Sequence, residues 1–268
     1  MKIRNGIAFG ALLGIFVPLS HFGEGAVLAA PPIELRTAAQ DSSPKYMALA
    51  SPEGKQKIGG LCTDILRALE KVDPELKFTG DQKFVPLPRI EMMLEKGEID
   101  VFAGYTKNPE RESKVVFLEP PLYNTRHVML VRADDPIQLN SFADLSKLGK
   151  AEPIMILHGS AGHDILKGIP GVTIDAESSN LDEMLRRLLS KRRRFIFYTE
   201  LSLIDAIRRR GLADQVRILP QPFRVTHQHL ALSRSLPAEK VERVQKALKK
   251  LTDSGELARI WEKHNPSK

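Results

Sequence analysis

Arg111, at the end of the run Thr106-Lys107-Asn108-Pro109-Glu110-Arg111, is the side chain best suited to hold a small ligand. A guanidinium presents a flat fork of donors that matches a carboxylate in two parallel bonds. Each such charge-assisted bond contributes about 1.5–3 kcal/mol. The same arginine serves equally well in a surface ion pair with Glu110 or Glu112. Ala103, Gly104 and Thr106 follow the apolar run that starts at Ile99, so they fall at the carboxyl end of a strand, where backbone groups and a hydroxyl can converge on a ligand. Thr106 also suits a turn or helix cap, and Gly104 a backbone shape closed to other residues. Ser160, within Gly159-Ser160-Ala161-Gly162, lies between a strand pattern and a helix pattern. There it either joins free backbone N–H groups in meeting an anion or caps the helix.

Catalytic constellations are harder to find. His158-Gly159-Ser160-Ala161-Gly162 is not the Gly-x-Ser-x-Gly elbow of a hydrolase. His227 and His229 would share one face of a strand but lack a third ligand motif. No nucleophile with its base, and no paired carboxylates, stand at diagnostic spacing. We therefore expect no catalytic residue, no metal site and no cofactor.

The elements that must position these residues alternate between apolar runs and helical spacing, which makes the class α/β. Strands are expected at 33–38, 84–86, 99–103, 115–118 and 127–131. Turn chemistry at Arg132-Ala133-Asp134-Asp135-Pro136 then marks a lobe boundary. Further strands are expected at 153–157, 195–199, 216–219 and 229–233. Helices are expected over 62–72, 89–96, 183–190, 200–209 and 237–251, with a short one from His163. The pattern Glu91-Met92-Met93-Leu94 to Asp100-Val101-Phe102 is echoed by Glu183-Met184-Leu185 to Phe195-Ile196-Phe197, which suggests two similar lobes. Residues 31–132 and 222–268 then form one lobe and 133–221 the other, with a hinge where the chain crosses twice.

Residues 1–30 are set apart as a cleavable export signal. Lys2 and Arg4 precede an apolar stretch from Gly6 to Leu19 that is short for a bilayer span, and small residues follow at Val27-Leu28-Ala29-Ala30. The formal charge is +7, and residues 1–30 carry a net +1 through Lys2, Arg4 and Glu24, which leaves +6. That balance is too scattered to mark a nucleic-acid partner, and Lys191-Arg192-Arg193-Arg194 is read as a solvated helix end. Cys62 is the single cysteine, so it cannot form an internal disulfide and is expected to pack as a small buried residue.

Four stretches carry a family resemblance. Gly60-Leu61-Cys62-Thr63-Asp64, Glu95-Lys96-Gly97-Glu98-Ile99-Asp100, Thr106-Lys107-Asn108-Pro109-Glu110-Arg111 with Phe117 and Pro120, and Asp253-Ser254-Gly255-Glu256-Leu257-Ala258-Arg259-Ile260-Trp261 resemble, in order, motifs of the family 3 extracellular solute-binding proteins of bacteria. The resemblance implies a two-lobed periplasmic-binding-protein fold with a ligand cleft at the interface. It also implies a periplasmic monomer that delivers a small polar solute, anionic or zwitterionic, to the membrane permease of an ABC importer. Arg111 stands at the family's ligand-binding arginine, and Ser160 at a hydroxyl position. Tyr46 falls in the first loop, where the family often has an aromatic wall, and Arg89 begins a helix beside the cleft. The family's usual acidic partner for an α-ammonium is replaced by Thr199, with Glu200 one step later. Either Glu200 compensates or the ligand is not an ordinary α-amino acid, because an unpaired buried charge is costly. Cyclohexadienyl dehydratase resembles the same family, so an eliminating enzyme using Glu200 is the alternative activity, and ligand sensing with a membrane receptor the alternative role.

Overall fold

Alternation of strand and helix is the organising pattern of the computed structural model, which describes Met1, residues 32–50 and residues 57–265. The export signal expected over residues 1–30 thus lies, apart from Met1, outside the described residues. No helix among the described residues is long and apolar enough to cross a membrane.

The chain enters on β1 (Ile33–Arg36), forms the hairpin β2 (Met47–Leu49) and β3 (Lys57–Gly59), and continues into α1 (Leu61–Val72) and β4 (Leu76–Thr79), which pairs in parallel with β1. α1 forms where Leu61, Cys62, Ile65, Leu66 and Leu69 place a continuous apolar stripe on one face, and all five are fully buried. Its start is fixed by Gly60, at φ +120°, where an added Cβ would lie 2.5 Å from the carbonyl oxygen of Pro44. The first two amides of α1 donate to the carbonyls of Pro44 and Lys45, both at 3.0 Å, so the first loop is tied to the helix start.

α2 (Leu87–Glu95), β5 (Val101–Thr106), α3 (Pro109–Lys114) and β6 (Val115–Phe117) follow. The strand expected at 84–86 reduces to a single parallel bridge between Ala39 and Phe84, because Pro86 already caps α2 and cannot donate to a ladder. β7 (Tyr123–Arg132) then leads into the second lobe. That lobe contains α4 (Phe142–Ser146), β8 (Ile154–Met155), α5 (Ala161–Leu166), β9 (Ile174–Asp175), α6 (Leu181–Leu189), β10 (Phe195–Thr199), α7 (Glu200–Arg210) and β11 (Val216–Ile218). The chain returns through β12 (Arg224–Ser233) to α8 (Ala238–Asp253) and α9 (Glu256–His264).

One sheet runs β5-β12-β7-β10-β8-β9, with β11 added on β7 and β6 on β12. The two ten-residue strands join the lobes. Tyr123 packs in the first core, stacked on Trp261 at 5.1 Å, whereas Val128 to Val131 alternate between apolar clusters on opposite faces of the second lobe's sheet. Between them, Tyr123–His127 pairs antiparallel with Arg224–Gln228. The chain therefore crosses between lobes on a two-stranded polar ribbon, and the turn at Arg132–Pro136 falls after β7 has entered the second core. α8 and α9 pack back on α1, with Arg243 held to Asp73 at 2.7 Å and His264 to Asp64 at 2.8 Å.

Cys62 is buried, as expected. The basic run at 191–194 is only half solvated. Lys191 and Arg192 are exposed, but Arg193 and Arg194 turn inward to the buried carboxylates of Asp175 and Asp135, at 2.6 and 2.7 Å.

Candidate functional site

Where β5 ends against the crossing strands, a cavity of about 40 Å³ lies between the lobes. Gly104, Thr106, Arg111, Ser160 and Thr199 line it, joined by Lys45 from the first loop, Thr125 and His127 from β7, Ser202 from α7 and Gln228 from β12. The space has room for about three water molecules.

Gly104 is the floor. Its φ of +78° is left-handed, and an added Cβ would lie 2.7 Å from Cys62 Sγ and 2.8 Å from Tyr123 Oη. Its carbonyl accepts from Lys45 Nζ at 3.3 Å. We expect Gly104→Ala to cost about 2–4 kcal/mol, combining backbone strain with overpacking. Denaturant unfolding checks this, and a loss under about 0.5 kcal/mol would show that the floor yields freely.

Arg111 sits in the first turn of α3, whose N-cap Asn108 accepts the Arg111 amide at 2.8 Å. Its guanidinium is buried, packs 4.3 Å from the centre of the Tyr105 ring, and donates to the Thr106 carbonyl at 3.1 Å. Its charge partner is neither Glu110 nor Glu112 but Glu91 on α2, at 2.6 Å. Those neighbours pair instead with Lys114 and Lys107. Glu91 also accepts from the Tyr105 hydroxyl at 2.8 Å, which fixes its orientation. Arg111 Nη2 reaches across the cleft to the Gly159 carbonyl at 3.2 Å. Bonds from Ser43 to Asp205 at 2.6 Å and from Asn108 to Asp164 at 2.5 Å span the lobes as well. Arg111 therefore helps to hold the lobes closed and still lines the cavity with donors to spare.

Ser160 occupies the N-cap position of α5 yet makes no cap bond, and its hydroxyl is buried without a partner among the described residues, as are those of Thr125 and Ser202. Thr106 Oγ1 accepts from Gln228 Nε2 at 2.9 Å. Thr199 lies at the N-cap of α7, also without a side-chain cap bond. His127 stacks on Phe197 at 5.7 Å, and burial, with Lys45 and Arg224 nearby, pushes its pKa down to about 4. Burial and the nearby Arg111 hold the Lys45 ammonium below the usual lysine range.

Other expected site residues lie elsewhere. Tyr46 is fully buried, stacked on Phe102 at 6.0 Å, and its hydroxyl donates to the Ala103 carbonyl at 3.0 Å, so both belong to the core behind the cavity. Glu200 faces Arg126 at 3.4 Å and is not among the cavity-lining residues. Arg89 is exposed on α2 and is also outside the lining. His227 is exposed and bonds Asn124, whereas His229 is buried and faces the Leu118 carbonyl at 3.1 Å. A bulge after His229 shifts the register there.

Residues 35–267 match the profile of the bacterial extracellular solute-binding proteins, family 3. The chain belongs to that family. Solved structures with the same family fold include an ancestral arginine-binding protein bound to arginine, 22% identical, at a TM-score of 0.71 over 86% of this chain and 97% of that one. An amino acid ABC transporter substrate-binding protein from Streptococcus pneumoniae bound to L-arginine is 18% identical, with a TM-score of 0.71 over 86% and 94%. An ancestral amino acid-binding protein, a precursor of cyclohexadienyl dehydratase, is 21% identical, with a TM-score of 0.68 over 87% and 95%. No curated protein matches the chain in sequence. At such identities the likeness carries the two-lobed fold of the solute-binding family, and the cavity must speak for the ligand.

Polar residues on the crossing strands carry little signal in the sequence. Tyr123, Thr125 and His127 are buried and alternate with exposed Asn124 and Arg126, a period of two that marks a strand face. Because both faces are polar, hydropathy does not reveal it. Lys45 has no pattern at all, since its place depends on the ties of its loop to α1.

Proposed function

We propose that this protein is a periplasmic solute-binding protein that captures a small carboxylate-bearing solute between its lobes for an ABC importer, and that it catalyses no reaction. The carrying observation is the interlobe cavity. Arg111 and Lys45 supply positive charge there, and the buried hydroxyls of Thr125, Ser160 and Ser202 have no hydrogen-bond partner among the described residues. Unsatisfied buried hydroxyls cost free energy, so a ligand that bonds them recovers it. A ligand that touches both lobes binds the closed form better than the open one. Closure then gives the monomeric binding protein a composite surface that the importer's permease recognises.

The dehydratase alternative would place acid–base work on Glu200, whose carboxylate instead faces Arg126. The test is thermal unfolding of residues 31–268 against amino acids, amines, dicarboxylates, sugar acids and prephenate, with consumption assayed for each hit. A ligand at a hundred times its Kd adds about 2.7 kcal/mol of stability. We expect one compound class to raise the unfolding temperature without being consumed. Consumption of prephenate would replace this reading with an enzymatic one, and no stabilisation by any compound would remove it.

A further inference from the structure

We propose that the cleft selects short anions that carry no amino group, with Lys45 as a second cationic contact beside Arg111. This rests on the reading of the interlobe cavity as the ligand site.

The charge inventory of the cavity carries the inference. Lys45 and Arg111 line it, and no aspartate or glutamate stands among its described lining residues. His127, which also lines it, is neutral at ordinary pH because of its burial and its cationic neighbours. Carboxylates close by already face cations: Glu91 faces Arg111, Glu200 faces Arg126, and Asp205 faces Arg209 at 2.7 Å. An α-amino acid would bring an ammonium into a space where Glu91 already balances Arg111 and Lys45 has no carboxylate partner among the described residues. Hydroxyls at Thr125, Ser160, Thr199 and Ser202 can accept a bond from it but cannot neutralise it. An anion without an amino group meets opposite charge from Lys45 and Arg111 and takes donated bonds from the same hydroxyls. Among the described residues, the Gly104 carbonyl, at 3.3 Å, is the one hydrogen-bond acceptor of Lys45. A ligand anion supplies the counter-charge that its buried ammonium otherwise lacks.

The nearest rival is Asp41. It lies in the adjoining mouth of the cleft, a space of about 380 Å³ that shares Tyr198 and Ser202 with the cavity. Asp182 and the arginines 186, 209 and 210 line the same mouth. Asp41 is exposed at this mouth, with Asp182 and Arg209 beside it, and does not line the cavity itself. Its substitution therefore belongs in the test.

Matched pairs differing at the amino group decide the matter: succinate against aspartate, glutarate against glutamate, and propionate against alanine, by titration calorimetry on residues 31–268. We expect the member without the amino group to bind at least about tenfold tighter in each pair that binds. Lys45→Met should weaken that member about tenfold or more while the unfolding temperature stays close to the parent's. Thr199→Asp should shift the ratio about tenfold toward the amino acid, and Asp41→Asn should leave it unchanged. An amino acid that binds as tightly as its partner, or a ratio that collapses only in Asp41→Asn, overturns this proposal and leaves the cleft as the ligand site. Failure of every compound to bind overturns both.

Discussion

Arg111→Ala is expected to abolish ligand binding while the protein stays folded. Two charge-assisted bonds to a carboxylate are worth about 3–6 kcal/mol together, which corresponds to at least a hundredfold loss of affinity. Arg111 also holds Gly159 across the cleft, so its removal weakens the closed form as well as the direct contact. Survival of the fold follows from the surroundings. Asn108 caps α3 through a backbone amide that alanine retains. Glu91, the carboxylate left behind, keeps the Tyr105 hydroxyl and has a side chain 32% exposed, so water can solvate it. A stability loss of about 1–2 kcal/mol is therefore expected, well below the total for a domain of this size. Arg111→Lys keeps the charge but not the fork and should fall between the two. Calorimetry with the ligand found by thermal unfolding reads the outcome. Unchanged affinity in Arg111→Ala would remove Arg111 from the site, and with it the reason to place the ligand at the end of β5.

Which parts of this arrangement a reader could take from the sequence depended on whether burial was apolar. β10 was legible to the residue because Phe195, Ile196 and Phe197 are buried on both faces between neighbouring strands, and such a run has no competing reading. α1 was legible from its stripe, to within one residue. β4 was not singled out, although Leu76 and Phe78 alternate with Lys77 and Thr79 in the expected strand pattern, because four residues make a weak signal. For β7 and β12 the apolar pattern covers only part of each strand. Their other halves are the polar ribbon between the lobes, where strand geometry is imposed by mutual pairing and not by an apolar face. The site divided along the same line. Gly104, Thr106, Arg111, Ser160 and Thr199, which stand at the cavity, lie at ends of elements whose boundaries were readable. Lys45, Thr125, His127, Ser202 and Gln228 reach it through tertiary placement of a loop, the ribbon and one turn of α7. Glu200 was one residue too far along: at the start of α7 the helix turns its side chain to Arg126.

Acid should destabilise the unliganded protein in two separable steps, and His127 accounts for the first. Its folded pKa, about 4, lies below the ordinary value near 6.5, because burial and the nearby Lys45 and Arg224 oppose a charged imidazole. Below about pH 6.5 the unfolded chain binds a proton that the folded chain refuses. Stability therefore falls as pH drops from about 6.5 to 4 and levels off beneath the folded pKa. Between pH 7 and 4.5 the loss is about 2–3 kcal/mol. The paired carboxylates of Asp100, Asp135 and Asp175 are held below their usual range, and their contribution is lost at still lower pH, as they protonate. His127→Gln should abolish most of the first step and leave the second. Urea unfolding of both proteins at pH 7 and 4.5 makes the comparison, and equal losses would show that His127 titrates normally. Ligand adds a further sign to the prediction. An anion between Lys45 and Arg111 offsets the positive potential at His127, so the folded pKa should rise and the first step shrink when the cleft is filled. A cleft that binds an uncharged solute would leave the step at its full size.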